Sequence, residues 1–259
     1  MNFTRAIVRP PGANFASGLT SGGGAPDFAL ALQQHQRYCE ALEACGLELT
    51  RLDADPEHPD GTFVEDAAVL TARGAILTRP GAPMRRGEIA RVGAALRAFY
   101  ADMRSIDAPG TVDGGDVCEA DGRFLIGVSA RTNERGADQL RVHLESMGYS
   151  ASLIDIRASR DLLHLKTGIA YLGDGVWAAA AAIARVLELA GLPVRGMIHV
   201  PPAEGYAANC VRVNDRVLLP SGHPDTAREL ELRGLRPLLL DLSEFRKMDG
   251  SLSCLSLRF

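Results

Sequence analysis

Five short polar clusters interrupt the apolar segments of this sequence at similar intervals. Their chemically reactive members are Asp60, Glu65 and Asp66, then Asp113 and Asp116, then His164, Asn209 and Cys254. A cysteine, a histidine and several carboxylates are the side chains that nucleophilic catalysis on a cation requires. Because buried carboxylates are costly unless a cation or hydrogen-bond donors compensate them, these clusters predict a cationic ligand.

A guanidinium group is the cation that we expect. It is planar, and its N–H donors match carboxylates in a fork geometry. Its central carbon is a poor electrophile because the charge is spread over three nitrogens. Carboxylates that orient the group would help a thiolate to attack that carbon, while a histidine protonates the departing amine.

Spacing alone leaves the nucleophile open between two cysteines, because Cys210 and Cys254 both stand at the start of a polar cluster. Cys39 and Cys45 fall on the apolar face of a predicted helix, and Cys118 lies beside a predicted strand. Buried thiols usually pack as small apolar groups. We therefore expect Cys39, Cys45 and Cys118 to belong to the core.

The clusters recur with a period that indicates repeated structural units. Gaps of 47, 51, 46 and 44 residues separate, in order, Asp66, Asp113, His164, Cys210 and Cys254. Each unit has a polar opening and two short strands, and most units then have a helix; such periods are typical of solenoids and propellers. The N-terminal strand and the helix predicted over 26–46 supply what the fifth unit lacks. Joining the two ends would close a ring of five units whose polar openings face its centre.

The overall composition argues against several classes of protein. The 259 residues carry a formal net charge of −4, so the chain lacks the basic footprint of a nucleic-acid partner. We expect no membrane span and no signal peptide, because every apolar run is too short. An odd number of cysteines argues against a disulfide framework and predicts a reducing cytoplasm. The sequence contains no CxxC or HxxxH spacing, so we expect no zinc site. We expect one domain over residues 1–259.

Several motifs, in order and over essentially the whole chain, are similar to those of one enzyme family. They are FVED, TRPGAP followed by Arg85-Arg86, DGGDV, SARTN, LHLKTG, AANC and KMDGSLSC. Together they resemble the dimethylarginine dimethylaminohydrolase family. The resemblance implies an α/β fold, a five-bladed α/β propeller with pseudo-fivefold ββαβ-type repeats around a central active site. It also implies hydrolysis of Nω-methylated arginines to citrulline plus methylamine or dimethylamine, without a metal or organic cofactor. Homodimers are common in this family.

The resemblance also implies roles for particular residues. Cys254 would be the nucleophile, His164 the general acid and then the general base, and Asp113 the third member of the catalytic set. Some members have glutamate at the Asp113 position. The implied substrate-binding residues are Asp66, together with Asp113, for the guanidinium; Asp60 and the Leu19 carbonyl for the α-amino end; Arg85 and Arg131 for the α-carboxylate; and Glu65, Met248 and Asp249 along the same pocket.

Three other activities remain open at this stage. An arginine deiminase-like enzyme would act on arginine or another guanidine, and an amidinotransferase would need an amine acceptor; both are usually longer chains. A non-catalytic binder of arginine derivatives would keep Asp66, Arg85 and Arg131 but would tolerate loss of Cys254. The glycine-rich segment Ser17–Pro26 is a predicted lid over the pocket.

Overall fold

Five three-stranded sheets organise the part of the chain that the structure describes. The structure is a computed structural model, and it describes residues 2–159, 162–181, 183–184 and 194–259. The strands are β1 (Arg5–Val8), β2 (Glu48–Arg51), β3 (Ala68–Thr71), β4 (Gly74–Leu77), β5 (Met103–Ser105), β6 (Val117–Ala120), β7 (Arg123–Val128), β8 (Ser150–Asp155), β9 (Ile169–Tyr171), β10 (Val176–Ala180), β11 (Gly196–Val200), β12 (Val211–Val213), β13 (Arg216–Pro220), β14 (Arg236–Leu240) and β15 (Ser256–Arg258).

Helices connect and cover these sheets, so the fold is α/β as predicted. Those with described bounds are α1 (Phe28–Ala44), α2 (Glu88–Leu96), α3 (Glu134–Ser146), α4 (Leu165–Gly168), α5 (Pro224–Leu232) and α6 (Ser243–Arg246). The helix predicted in the unit after β10 lies largely outside the described residues. Among the helices that the structure describes, none combines the length and the apolar character needed to cross a bilayer.

All five sheets share one strand pattern. In four sheets the central strand pairs antiparallel with the strand before it and parallel with the strand after it in the chain; in the first sheet the central strand β1 pairs antiparallel with the last strand, β15, and parallel with β2. For β7 the register is Val117↔Ile126 toward β6 and Leu125↔Ser152 toward β8. A parallel pair needs a crossover connection, and α3 provides it here. The first sheet joins both ends of the chain, because β1 pairs with β15 at Ile7↔Leu257.

The helix α1 shows how the sequence sets the local structure. Its N-terminus is capped by Asp27, whose carboxylate accepts a hydrogen bond from the backbone N–H of Leu30 at 3.0 Å. Its buried face contains His35, Tyr38 and Leu42, at the spacing of a helix that packs on one side. The chain turns away at Gly46, where φ is +90°, a conformation that glycine adopts without strain. The predicted helix and its stop are confirmed.

The hydrophobic core is divided among the spaces between neighbouring sheets. Each of five buried clusters contains residues of two sheets, and together the clusters link the five sheets in a closed cycle. Representative members of the five clusters are Ile7 with Ala75, Val69 with Phe124, Leu125 with Trp177, Ile198 with Leu219, and Val213 with Ala6. The sheets therefore pack side by side, and their first strands begin close together.

Candidate active site

Each sheet is preceded by a short helical turn, and a member of the polar clusters lies in that turn or directly before it. Four are turns of 3₁₀ helix and the fifth is α4; in chain order they are Val64–Ala67, Gly114–Asp116, Leu165–Gly168, Pro202–Asn209 and Ser253–Leu255. The polar clusters recognised in the sequence therefore occupy equivalent positions in the fold.

Hydrogen bonds join these five turns in a closed cycle. In each link a side chain of one turn bonds the next turn, with distances between 2.7 and 2.9 Å. The links are Gly115 to Asp66, Leu165 to Asp116, Asn209 to Lys166, Ser253 to Asn209, and Ser253 to Glu65. Because every link uses a buried or partly buried polar group, the cycle fixes the turns relative to one another.

A cavity lies at this junction. It is lined by Leu19, Asp60, Phe63, Asp66, Arg85, Arg131, Leu163, His164, Met248, Asp249, Gly250 and Cys254. Nine of the eleven predicted site residues are in this lining. Glu65 lines an adjoining cavity together with His164 and Cys254. Asp113 is fully buried and contacts His164 from behind the lining.

The imidazole of His164 is paired with a buried carboxylate. Its Nε2 lies 3.1 Å from Oδ2 of Asp113, and Oδ1 of Asp113 accepts a hydrogen bond from the backbone N–H of Gly81 at 2.8 Å. Burial lowers the pKa of His164, but the charges of Asp66, Asp113 and Asp116 outweigh that effect and raise it to about 9. The imidazole is therefore protonated at neutral pH, as a general acid must be.

The backbone at Gly115 passes close to the imidazole of His164. A Cβ at Gly115 would lie 2.7 Å from Nδ1 of His164, nearer than real side-chain contacts allow. The glycines of DGGDV therefore act as spacers here, which lets the turn Gly114–Asp116 pass close to the imidazole.

Asp66 is held by a buried ion pair with Arg85. Nη1 of Arg85 donates to Oδ2 of Asp66 at 2.6 Å, and Nε and Nη2 donate to the two oxygens of Glu88 at 3.0 and 2.9 Å. Burial favours the neutral acid, but His164 and Arg85 lower the pKa of Asp66 to about 2. Arg85 lines the cavity, yet most of its fork is engaged by these two carboxylates.

Glu88 is a functional residue that the sequence reasoning missed. It lies three residues after Arg85, at the start of α2, and its side chain is buried. An acid at this helical spacing from a buried arginine is the signal that could have identified it. Asp116, which we listed among the polar clusters but gave no role, also proves to be fully buried.

The thiol of Cys254 faces the cavity and is partly exposed. Burial and the charges of Glu65 and Asp66 raise its pKa to about 12, so it is a thiol in the free protein at neutral pH. Its Sγ lies 3.8 Å from Oγ of Ser251. Cys210, the other candidate by spacing, is buried and lines a different cavity. The geometry thus favours Cys254.

A polar floor separates the two cavities. Oε1 of Glu65 pairs with Nζ of Lys166 at 2.6 Å, and Nη2 of Arg258 lies 3.7 Å from the same oxygen. Oε2 of Glu65 accepts a hydrogen bond from Ser253. The carboxylate of Glu65 is therefore already paired with protein partners below the nucleophile.

The glycine-rich segment lies against the cavity and is bonded to two of its carboxylates. The backbone N–H of Leu19 is 3.1 Å from both oxygens of Asp60. Ser21 donates its N–H and its hydroxyl to Asp249 at 2.6 and 2.7 Å. Burial raises the pKa of Asp60, against the opposing effects of Arg85, the Leu19 N–H and Arg131. These hydrogen bonds hold the segment against the cavity.

Arg131 is the second arginine of the cavity lining. It is half-buried, and within the described ranges its guanidinium forms no ion pair with a carboxylate. A cation in this position can receive an anionic group of a ligand.

One group of side chains has the chemistry of metal ligands. Ligand atoms of Asp66, Asp113 and His164 lie within 4.8 Å of one another. All three already have protein partners: Arg85 and Gly115 for Asp66, Gly81 for Asp113, and Asp113 for His164. Of the two carboxylates, Asp66 lines the cavity, whereas Asp113 lies behind His164 and outside the lining.

Comparisons with known proteins found relatives that match almost the whole chain. No family model matches the sequence. A dimethylarginine dimethylaminohydrolase of Pseudomonas aeruginosa is 43% identical over 259 residues, which cover 99% of this chain and 100% of the relative. A solved structure of the P. aeruginosa enzyme, a cysteine-to-serine variant with citrulline, is 42% identical, covers all of both chains and has a TM-score of 0.95. A histidine-to-glycine variant of a dimethylarginine dimethylaminohydrolase, in an adduct with S-methyl-L-thiocitrulline, is 42% identical, covers 99% of this chain and 100% of its own, and has a TM-score of 0.94. The chain belongs to the dimethylarginine dimethylaminohydrolase family.

Proposed function

We propose that this protein hydrolyses Nω-methylated arginines to citrulline plus dimethylamine or methylamine, through a covalent intermediate on Cys254. The observation that carries the proposal is the meeting of Cys254, the His164–Asp113 pair and Asp66 at one cavity. The family relatives support the substrate class, because they are named for dimethylarginine and one was solved with citrulline.

The cavity offers a separate partner for each end of the substrate. Asp66 receives the guanidinium, with Glu65 beneath it, and Asp113 supports this end of the site from behind His164. Arg131 and Arg85 receive the α-carboxylate, and Asp60 with the Leu19 carbonyl receives the α-amino group. Met248 and Asp249 line the space between these ends. Arg85 serves mainly to orient Asp66, since most of its donors are already paired.

The first half-reaction forms a carbon–sulfur bond and breaks a carbon–nitrogen bond. Binding of the substrate cation offsets the negative charges around Cys254, so its thiol loses a proton to solvent. The thiolate attacks the guanidinium carbon and forms a tetrahedral adduct. His164 then donates its proton to the methylated nitrogen, and the amine departs, leaving a thiouronium on Cys254.

The second half-reaction restores the enzyme. Neutral His164 removes a proton from a water molecule, and the resulting hydroxide attacks the thiouronium carbon. The second tetrahedral adduct gives up its hydroxyl proton to solvent and expels the thiolate of Cys254, which breaks the carbon–sulfur bond and releases citrulline. The thiolate takes up a proton from solvent and becomes a thiol again. His164 is again protonated. The balance is one substrate and one water consumed for one citrulline and one amine, with no metal or organic cofactor.

The proposal extends to the architecture and setting. Residues 1–259 form one domain, a five-bladed propeller with pseudo-fivefold ββαβ-type repeats; the closed cycles of core clusters and of hydrogen-bonded turns support it. The protein acts in the cytoplasm on a small guanidine and forms homodimers, as is common in the family.

A citrulline assay with three substrates tests the proposed function. The protein is incubated separately with Nω,Nω-dimethylarginine, Nω-monomethylarginine and arginine, with Cys254→Ser as the control. We expect citrulline from the methylated substrates, and none from the variant. Citrulline and ammonia from arginine alone would instead indicate a deiminase, while binding without any citrulline would indicate a non-catalytic binder.

A further inference from the structure

Asp116 is a buried carboxylate that the proposed reaction leaves without a role. It is fully buried and does not line the cavity. It is the last residue of the turn Gly114–Asp116, three residues after Asp113. A buried carboxylate with no cationic partner is costly and is retained only where hydrogen bonds compensate it. Its partners therefore indicate what it does.

One oxygen of Asp116 holds the segment that carries the general acid. Oδ1 accepts a hydrogen bond from the backbone N–H of Leu165 at 2.9 Å. Leu165 follows His164 directly and begins α4. The position of the imidazole thus depends on a bond between the Asp116 carboxylate and the backbone one residue further along the chain.

The other oxygen holds the loop that carries Arg131. Oδ2 of Asp116 accepts hydrogen bonds from the hydroxyls of Ser129 and Thr132 at 2.7 and 2.6 Å. Oγ of Ser129 in turn accepts the backbone N–H of Arg131 at 2.9 Å. Oγ1 of Thr132 accepts the backbone N–H of Asp113 at 3.1 Å. Two neighbouring oxygens of one carboxylate therefore fix the backbone on both sides of the cavity.

We propose that Asp116 is a positioning residue that couples recognition of the substrate's α-carboxylate by Arg131 to the placement of His164. The inference rests on the proposed function, because it takes from it the roles of Arg131 and His164. It adds a direct physical link between the binding end and the reacting end of the substrate. Such a link matters because a misplacement of about 1 Å can reduce a rate by about 100-fold.

The directions of the hydrogen bonds require both oxygens of Asp116 to act as acceptors. The Ser129 hydroxyl receives backbone N–H groups from Arg131 and Thr132, so its own proton points to Asp116. The Thr132 hydroxyl receives the N–H of Asp113, so its proton also points to Asp116. The backbone N–H of Leu165 is the third donor to the Asp116 carboxylate. Asparagine would place an NH₂ group against at least one of these donors, although it has nearly the same shape.

The test compares Asp116→Asn and Ser129→Ala with a matched control. Glu204 is also a buried carboxylate, and it accepts the N–H groups of Asp225 and Thr226 and the Thr226 hydroxyl, at 2.6 to 3.0 Å, without touching a residue that we place in the reaction. Glu204→Gln therefore reproduces the loss of a buried acceptor away from the site. Each variant is assayed with dimethylarginine and with its decarboxylated analogue, which lacks the group that Arg131 receives.

We expect Ser129→Ala to raise KM for dimethylarginine about tenfold, to change kcat less than twofold, and to leave the analogue unaffected. Asp116→Asn should show the same rise in KM for dimethylarginine and, in addition, a fall in kcat of about tenfold with both substrates. Glu204→Gln should lower thermal stability without either kinetic change. If Asp116→Asn does not fold, the KM change of Ser129→Ala with dimethylarginine alone decides.

Two results would overturn the inference. One is wild-type KM and kcat in Ser129→Ala and Asp116→Asn; the other is an equal loss with both substrates in Ser129→Ala, which would indicate general damage. Failure of the proposed function is distinguishable, because the wild-type protein itself would then release no citrulline from dimethylarginine.

Discussion

Oδ2 of Asp113 lies 3.1 Å from Nε2 of His164, and the neighbouring oxygen is fixed by the N–H of Gly81. The carboxylate is fully buried, so its direction is determined by these two contacts. A fixed, negatively charged partner both orients the imidazole and favours its protonated form. The contact that positions the general acid therefore also helps, together with the charges of Asp66 and Asp116, to raise its pKa and keep it protonated.

Asp113→Asn should shift the pH dependence of catalysis. With the carboxylate present the pKa of His164 is raised to about 9, so the acid form persists through neutral pH and is lost as the pH rises through that value. Removing the charge lowers the pKa, so we expect the alkaline fall of kcat to begin at a lower pH. We also expect kcat at pH 8 to decrease by at least tenfold, since general acid catalysis contributes about 100-fold or more. Profiles of kcat against pH for both proteins measure this; superimposable alkaline limbs would contradict it.

The free protein should react slowly with thiol reagents at Cys254. Because the pKa of this thiol is raised to about 12, only a small fraction is thiolate at pH 7, and the alkylation rate should rise about tenfold per pH unit between pH 7 and 10. Glu65→Gln removes one of the charges that raise the pKa and should accelerate the reaction at pH 8. Iodoacetamide labelling of Cys254, read by peptide mass spectrometry, measures the rate. A rate that does not vary with pH over this range would mean that the thiol is already ionised.

Glu88→Gln should weaken substrate binding without removing any group from the cavity lining. Glu88 engages Nε and Nη2 of Arg85, so the variant frees the fork that orients Asp66. Charge-assisted hydrogen bonds of this kind contribute about 1.5–3 kcal/mol, which predicts a rise in KM of about tenfold or more. Glu145→Gln, in the exposed Arg141–Glu145 pair, is the control and should have no effect. Equal kinetics for both variants would refute a positioning role for Glu88.

The glycine-rich segment should be protected by ligand. Its described bonds to Asp60 and Asp249 hold it against the cavity. Citrulline in the cavity should reduce proteolytic cleavage within 17–26, and Ser21→Ala should increase it, because the variant removes the hydroxyl that Asp249 accepts. Time courses of limited proteolysis with and without citrulline measure both effects. Identical cleavage in the presence and absence of citrulline would rule out closure of the segment as a lid.

The inner strands and the polar turns could be predicted from sequence because both carry strong local patterns. Strands such as β4 and β7 are almost wholly buried and therefore consist of apolar runs. The third strand of several sheets could not be predicted. Residues of β2 and β5 are half-buried or exposed, so their composition resembles that of a loop. The parallel pairing in the fold, which is non-local, determines these strands.

Most residues that the sequence placed in the site line the cavity, and Cys254 and His164 stand in distinctive motifs. Glu88 and Asp116 lie outside the lining and received no role from the sequence. The partner of Glu88 is nearby in the sequence, at Arg85, whereas Asp116 bonds residues that lie far away in sequence, such as Leu165. Spacing alone could not separate Cys210 from Cys254, because the two hold similar positions at the start of a polar cluster and differ in which cavity they line.

Direct capture of the covalent intermediate tests the central claim. Wild-type protein is mixed with dimethylarginine, quenched with acid within one turnover, digested and analysed by mass spectrometry, with Cys254→Ser and Cys210→Ser treated in parallel. We predict a thiouronium adduct on the peptide that contains Cys254, formed before citrulline appears, retained in Cys210→Ser and absent from Cys254→Ser. Citrulline formation at the wild-type rate in Cys254→Ser, or an adduct on Cys210 instead, would contradict the account.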